Sequence, residues 1–432
     1  MIRKVYKFGG ASVKNADAVR NLVSIVSTHR DEDILLVVSA MGKTTNMLEK
    51  ALSDARNADG VPGEEILSDV RNYHQGILDD LFGGDASEVN AAVKTLFASL
   101  YEALCAKNDD YDLWYDQTVS FGELISTTIV NRYLIRCGIE SEWIDARRYV
   151  VTDDTFRAAS PDWDATGKRI RGLNDSYKPG KIFITQGFIG GTADGRYTTT
   201  LGREGSDYTA AIFANSLDAE EVSIWKDVDG LLNADPKRFS DTVKIPHISY
   251  SEAIELSFYG ATIIHPKTLK PLQNKNIALK VRSFLHPEND PTIIDGNETG
   301  NEISVPSYIV KDNQTLVSIS PRDYSFMNEH NMQIIFAACD YLRIHANMLQ
   351  TSALMFSFCF DSDDAKLKSL IRRLSSRFSV KYNGGLSLFT VRHYSDGQTE
   401  TEKKYLQGKE ILIKQGSRST LQYVVKPRVQ SV

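Results

Sequence analysis

The chain has little of what builds disulfide frameworks, metal sites or membrane spans. Its four cysteines, Cys105, Cys137, Cys339 and Cys359, stand far apart with no CxxC spacing. That excludes a zinc ribbon and a disulfide scaffold, and reads as reduced, mostly buried thiols of a cytosolic protein. No apolar run approaches the roughly 18 residues that a membrane span needs. The first residues, Met1-Ile2-Arg3-Lys4-Val5, enter a strand at once and leave no room for a signal-peptide apolar region. There is no basic tract: the formal charge is −6 with acids and bases interspersed, which argues against nucleic acid or an anionic membrane as partner. The histidines are scattered without ligand spacing, and no metal ligand set is expected from them. GxSxG and HExxH do not occur, and no GxGxxG follows a strand, so acyl-transfer, zinc-protease and dinucleotide chemistry have no foothold. The expected location is the cytoplasm.

What is present begins at Lys7 to Val13, KFGGASV, between a short apolar strand and a helical stretch at Asp17 to Ser27. Two glycines at a strand-to-helix corner let backbone N–H groups approach phosphate oxygens, and the helix start adds partial positive charge. Lys7 supplies a full charge where negative charge accumulates in phosphoryl transfer. A plain strand–turn–helix corner explains the segment equally well until its company is considered. At 432 residues, 42% apolar and 25% charged, the chain has the balance of a globular protein of two or three domains.

Up to about residue 285, short apolar strands alternate with helical patterns. Strands are expected at Lys4–Phe8, Ile34–Ser39, Ser141–Asp145, Lys181–Phe188, Glu221–Lys226 and Ile277–Arg282. Helices are expected at Gly122–Arg136, Asp207–Ser216 and Ser251–Gly260, with a packed helical pair inserted from Ala51 to Asn108. Such alternation gives a mostly parallel sheet sandwiched by helices, with ligands beyond the carboxyl ends of its strands. His286 to Pro306 carries three prolines and two glycines and reads as a linker. Beyond it, strands at Thr315–Ile319, Met348–Phe360 and Leu386–Arg392 alternate with helices at Asn328–Tyr341 and Asp363–Phe378 in a ferredoxin-like rhythm. A short helix near Thr399–Leu406 and a hairpin of Glu410–Lys414 with Thr420–Val425 complete the pattern. The expected domains are residues 1–285, a linker at 286–306, a first module at 307–395 and a partial second module at 396–432.

Four further segments carry candidate chemistry. Ile184 to Ala210 holds Thr198–Thr200 and then Arg203, Gly205, Ser206 and Asp207 at a helix start. Arg203 offers a rigid fork to a carboxylate, while Ser206 and Asp207 suit either helix capping or a ligand. In Trp225 to Arg238, WKDVDGLLNADPKR, a strand ends in Lys226-Asp227 and leads into two turns. Asp-Gly and Asp-Pro are ordinary turn formers; as a site, the loop suits a nucleotide base and ribose, with Lys237 and Arg238 near phosphates. Glu123 sits in the first turn of the Gly122 helix, where the macrodipole favours an acid and a substrate ammonium would too. Ser39–Asn46, SAMGKTTN, imitates the end of a P-loop, but Val37 stands where that pattern needs glycine. Ser39 and Thr45 remain as hydroxyls for a cleft. His265 before Pro266 reads as a packing or capping residue.

KFGGASV, FGEL, TLGREGSDYTA, WKDVDGLLNADP and YGATIIHP occur in the order and at the approximate spacing of the aspartokinases, which the chain resembles over residues 1 to ~285. The resemblance implies an amino-acid kinase fold followed by ACT-type α+β modules. The activity it implies is transfer of the ATP γ-phosphoryl, with Mg²⁺ held mainly by the nucleotide, to the side-chain carboxylate of L-aspartate. That reaction opens lysine, threonine and methionine biosynthesis. Lys7 then matches the catalytic lysine, with Gly9, Gly10 and Ala11 along the phosphates. Ser39, Thr45, Glu123, Arg203 and Ser206 fall to aspartate, and Asp207 orients Lys7 and substrate. Lys226, Asp227, Leu232, Lys237, Arg238 and Thr262 fall to the nucleotide. The chain departs from the family at Ala11 (usually threonine), at Glu204 (usually glycine) and at Thr262 (lysine in some members). Glu204 is expected to turn outward.

The tail resembles paired ACT modules that sense lysine or threonine, the second of them shortened, which puts feedback inhibition in question. A homodimer through residues ~305–432 is expected, without an attached homoserine dehydrogenase. Two readings compete: a kinase of the same fold acting on glutamate, acetylglutamate, carbamate or a nucleotide, and a sensor that has lost turnover.

Overall fold

The computed structural model describes residues 1–58, 60–261, 264–297, 305–394, 397 and 399–427. The chain divides into two compact units, the first comprising Met1–Leu231, Lys244–Ile254 and Ile263–Asn301, the second Leu232–Val243, Glu255–Thr262 and Glu302–Val432.

The first unit is built on an eight-stranded sheet. Its order is His247–Ser249, Thr292–Asp295, Ala278–Ser283, Glu221–Lys226, Lys4–Phe8, Ile34–Val38, Ile182–Gln186 and Ser141–Trp143. Neighbours run parallel except Ala278–Ser283 against Thr292–Asp295. The central strand Ile34–Val38 is buried along its whole length, which is why it reads as an uninterrupted apolar run. Side-chain alternation in Lys4–Phe8 sends successive residues to opposite faces of the sheet. Tyr6 and Phe8 join a core with Val19, Leu22, Leu36 and Trp225, and Phe8 stacks on Trp225 at 5.9 Å. Lys7, one residue out of phase, leaves through the other face.

Several boundaries differ from the sequence reading, each for a local reason. The expected strand Lys181–Phe188 is two strands, Ile182–Gln186 and Ile189–Thr192, and the second belongs to a separate three-stranded sheet with Val151–Thr152 and Thr198–Thr200. The break falls where Phe188 takes φ +69° and donates its N–H to Thr209 Oγ1 at 2.9 Å. Gly187 allows this approach, because a Cβ there would come within 2.5 Å of Ser206. The helical insertion starts earlier than expected, with helices Thr44–Asn57, Ser68–Phe82 and Ser87–Cys105.

The second unit carries one antiparallel six-stranded sheet in the order Met348–Thr351, Phe356–Asp361, Ser307–Pro321, Phe378–Arg392, Thr420–Pro427 and Lys409–Gly416. Sequence periodicity finds only parts of its two long strands, Ser307–Pro321 and Phe378–Arg392, which pair from end to end with register shifts beside Gln314. Met348–Phe360 is a hairpin, closed where Ser352 N–H donates to Met355 O. The helices Glu329–Tyr341 and Asp364–Leu374 cover a core of Val317, Ile319, Phe356, Phe358 and Phe378. A second core gathers Phe239, Tyr308, Phe389 and Tyr423, on which helix Glu400–Leu406 rests through Tyr405. Of the cysteines only Cys339 and Cys359 are buried; Cys105 is half-buried and Cys137 exposed, so the thiols are less enclosed than expected.

Candidate active site

Lys7 leaves the sheet under the first turn of helix Gly205–Leu217, where Asp207 waits. Their Nζ–Oδ1 distance is 2.5 Å, and Lys226, at the end of the neighbouring strand, lies 3.7 Å from the other oxygen. Asp207 is 3% exposed and Lys7 8%. Burial opposes ionisation of Asp207, but the two lysines outweigh it and hold the carboxyl below the usual carboxylate range. One buried acid thus fixes two cations from adjacent parallel strands at one point.

Above this pair opens a cleft of about 530 Å³, bordered among others by Lys7, Ser39, Thr45, Glu123, Arg203 and Asp207. Its position beyond strands Lys4–Phe8 and Ile34–Val38 is where parallel sheets bind ligands. Of the remaining expected residues, Gly10, Ser206 and Lys226 also line it. Glycine at position 10 has a steric reason, since a Cβ would approach Ala40 O and Gly42 O at 2.9 Å. Gly9 precedes it at the mouth of the turn Gly10–Val13, and Ala11 is exposed on that turn.

Glu123 is 3% exposed. Its Oε1 accepts from Ala40 N–H at 3.3 Å, and its Oε2 has no hydrogen-bond partner among the described residues. Burial pushes the carboxyl up to about 8. Such a group is unsatisfied until a donor arrives in the cleft, which a helix-dipole role alone does not explain.

Ser206 and Asp207 do not cap their helix. The N-cap is Glu204, which makes no side-chain cap bond and holds φ +53°. Its carboxylate, half-buried at the cleft wall, accepts from His265 N–H at 2.8 Å. The expectation that Glu204 turns outward is therefore corrected: it is tied to the backbone opposite, and Arg203 beside it stays exposed. His265 does cap, its Nδ1 accepting from Lys267 N–H at 3.2 Å ahead of helix Pro266–Gln273.

Asp227, of the first unit, is not among the lining residues. It is exposed on the turn after its strand. Leu232, Lys237 and Arg238 belong to the second unit, where Asp235 organises a turn by accepting from Lys237 N–H at 2.9 Å. Arg238 there pairs with Asp312. Thr262 lies outside the described residues.

Sequence reasoning missed Asp116. This residue, 0% exposed, accepts from Thr200 N–H and Oγ1 at 2.7 Å each and from Arg157 N–H at 3.0 Å. It thereby shapes the wall formed by Thr200 and Arg157, whose guanidinium lies over Tyr115. Burial raises its carboxyl to about 6 despite these donors. No local pattern marks it, because its partners lie far away in the chain.

Among the described residues no group of three or more His, Cys, Asp or Glu is placed to hold a metal ion. No described helix is long and apolar enough to cross a membrane.

A phosphate-type turn, a lysine–aspartate–lysine cluster and an acid-walled cleft at strand ends place the chain among known proteins. It belongs to the amino acid kinase family, whose profile matches residues 3–283. Within that family its relatives are aspartokinases. Lysine-sensitive aspartokinase 3 of Escherichia coli is 32% identical over 407 residues, covering 90% of this chain and 86% of the relative. The bifunctional chloroplastic aspartokinase/homoserine dehydrogenase 2 of Arabidopsis thaliana is 29% identical over 392 residues, 88% of this chain and 42% of the relative. The chain thus spans about two-fifths of the length of such bifunctional relatives. E. coli aspartokinase III, solved with aspartate and ADP in its R-state, superposes with TM-score 0.80 at 30% identity over 98% of this chain and 96% of the other. The same enzyme with lysine and aspartate, in its T-state, gives 0.76 over 99% and 96%.

Glu123 generates a pH-dependent prediction. Its folded pKa lies above the unfolded value of 4.5, so this group lowers stability as pH rises through about 8. Replacing it by glutamine removes that loss. In the ligand-free protein the Tm of Glu123→Gln relative to wild type should climb between about pH 5 and about pH 9 by several degrees. A constant Tm difference across that range would show that Glu123 is ionised throughout.

Proposed function

We propose that this chain transfers the γ-phosphoryl group of ATP to the side-chain carboxylate of L-aspartate. One observation carries the reading: Asp207 gathers Lys7 and Lys226 at the floor of a cleft whose wall holds Glu123 with an unmet acceptor. The arrangement suits a zwitterionic acid substrate and a polyanion meeting at one point.

Arg203 pairs with a substrate carboxylate, and Glu123 receives the α-ammonium, ionising as the cation approaches. Ser39, Thr45 and Ser206 supply hydroxyls around the same substrate. The side-chain carboxylate is already ionised at neutral pH and needs no general base. An oxygen of it attacks the γ-phosphorus, the bond to the β,γ-bridging oxygen breaks, and ADP leaves with that oxygen's charge. Lys7, oriented by Asp207, neutralises charge on the transferring group, and N–H groups of Gly9 and Gly10 support the phosphates. Lys226 and Asp227 serve the nucleotide. Among the described residues the acids on the cleft lining, Glu123, Glu204 and Asp207, are dispersed or engaged, which suits Mg²⁺ that arrives on ATP and shields its phosphate charge.

The reading extends to regulation and assembly. The first unit, whose sheet takes in Thr292–Asp295 from the segment expected as linker, acts as the catalytic part, and residues 307–395 with 396–432 act as ACT-type modules that take lysine or threonine. The work belongs in the cytoplasm, where four unpaired thiols stay reduced. The six-stranded sheet ends in Met348–Thr351 and Lys409–Gly416, whose outer edges invite pairing with a second copy. Light scattering should return twice the chain mass at micromolar concentration; a monomer would remove the dimer from the account.

ADP release with L-aspartate, L-glutamate or no acceptor tests the activity. Release should depend on L-aspartate, and Lys7→Ala should reduce kcat by ~10²–10³-fold with the fold retained. Acceptor-independent release, or near-normal turnover without Lys7, would defeat the proposal.

A further inference from the structure

The helical insertion reaches two cleft-lining loops through neighbouring residues of helix Ser68–Phe82 that take no part in the proposed transfer. Tyr73 Oη donates to the carbonyl of Lys14, at the end of the turn Gly10–Val13. The same oxygen sits against the second loop, because a Cβ on Gly42 would fall 2.4 Å from it. Gly42 holds φ +55° and donates its N–H to Gly10 O at 3.0 Å. A single phenol therefore closes over the point where the loops after strands Lys4–Phe8 and Ile34–Val38 interlock.

His74 holds the far end of the second loop. It is wholly buried; Nδ1 lies 2.7 Å from Val70 O and Nε2 3.4 Å from Thr44 Oγ1. With the proton on Nδ1 to meet that carbonyl, Nε2 faces a hydroxyl whose one proton goes to Met41 O at 2.6 Å, so His74 bears on Thr44 by packing rather than by a hydrogen bond. The ring packs edge-on against Phe97 at 6.0 Å and so is fixed by the adjacent helix Ser87–Cys105. Burial drives its pKa down to about 4, and the ring stays neutral through the physiological range.

We infer that Tyr73 and His74 are positioning residues for the nucleotide: from outside the cleft they set the spacing between the Gly9–Lys14 turn and the Ser39–Thr45 loop. The inference rests on the kinase reading for which ligand that turn receives. Neither residue lines the cleft. The helical insertion thus acts as a brace on the phosphate turn, and glycine stands at position 42 both because φ +55° disfavours a side chain and because the brace occupies the space one would fill.

Tyr73→Phe keeps the ring and removes the donor. The KM for ATP should rise about 5- to 10-fold, the effect of one hydrogen bond, and the KM for L-aspartate should rise less, because the lost bond holds the phosphate turn through Lys14 while Ser39 and Thr45 lie on the facing loop. A merely structural role would reduce the active fraction and leave both KM values alone. Gly42→Ala should raise the KM for ATP further, and combining it with Tyr73→Phe should cost less than the two separate effects together, since the clashing oxygen is gone. Calorimetric Kd values for ADP with the same proteins separate this inference from the kinase reading. Weaker ADP binding in Tyr73→Phe, with wild type inert toward L-aspartate, would keep the brace and discard the proposed reaction. Unchanged ADP affinity in Tyr73→Phe, or equal rises in both KM values, would overturn the brace.

Discussion

A carboxylate shut away from water between two lysines is the interaction on which the rest of the site depends. Removing each of these charges from water costs several kcal/mol, and their attraction offsets that only when all three are held in place. Asp207 supplies the holding point, Lys7 comes from one strand, and Lys226 comes from the parallel strand beside it. Two lysines and one aspartate leave the group with net positive charge. Register sets Lys7 beside Ile224, so Lys226 follows two residues further on the same face, and the first turn of helix Gly205–Leu217 brings Asp207 to both. Removing Asp207 would leave two like charges facing each other in a poorly solvated place.

Around that centre the other buried ionisable groups pull in opposite directions. Glu123 and Asp116 have raised pKa values, so their contribution to stability fades as pH rises. His74 has a depressed one, so its contribution is lost as pH falls. Asp116 is compensated within the protein by Thr200 and Arg157, whereas Glu123 is left with an open oxygen. That contrast separates a carboxylate that builds the wall from one that waits for a ligand. The distinction rests on hydrogen-bond partners, because both residues are at most 3% exposed.

Much of the first unit is legible in the chain. Its apolar strands, Lys7 one residue out of phase with Tyr6 and Phe8, and the helix start at Asp207 all come from local periodicity. The resemblance to aspartokinases adds the order of the motifs. What stays hidden depends on tertiary partners. Glu204 gives no sign in sequence that it adopts a left-handed backbone or reaches His265. Asp116 and Thr200, or Tyr73 and Lys14, meet only after the chain has folded. The long strands Ser307–Pro321 and Phe378–Arg392 are only partly legible because their solvent-facing halves carry polar residues that break the apolar signal.

The central claim is that Lys7, held by Asp207, meets the phosphate that is transferred. A crystal structure with a non-hydrolysable ATP analogue and L-aspartate bound tests it most directly. The Lys7 Nζ should lie within hydrogen-bonding distance of a γ-phosphate oxygen while its contact with Asp207 persists. Phosphates seated beyond the reach of Lys7, with its amine still engaged only by Asp207, would contradict it.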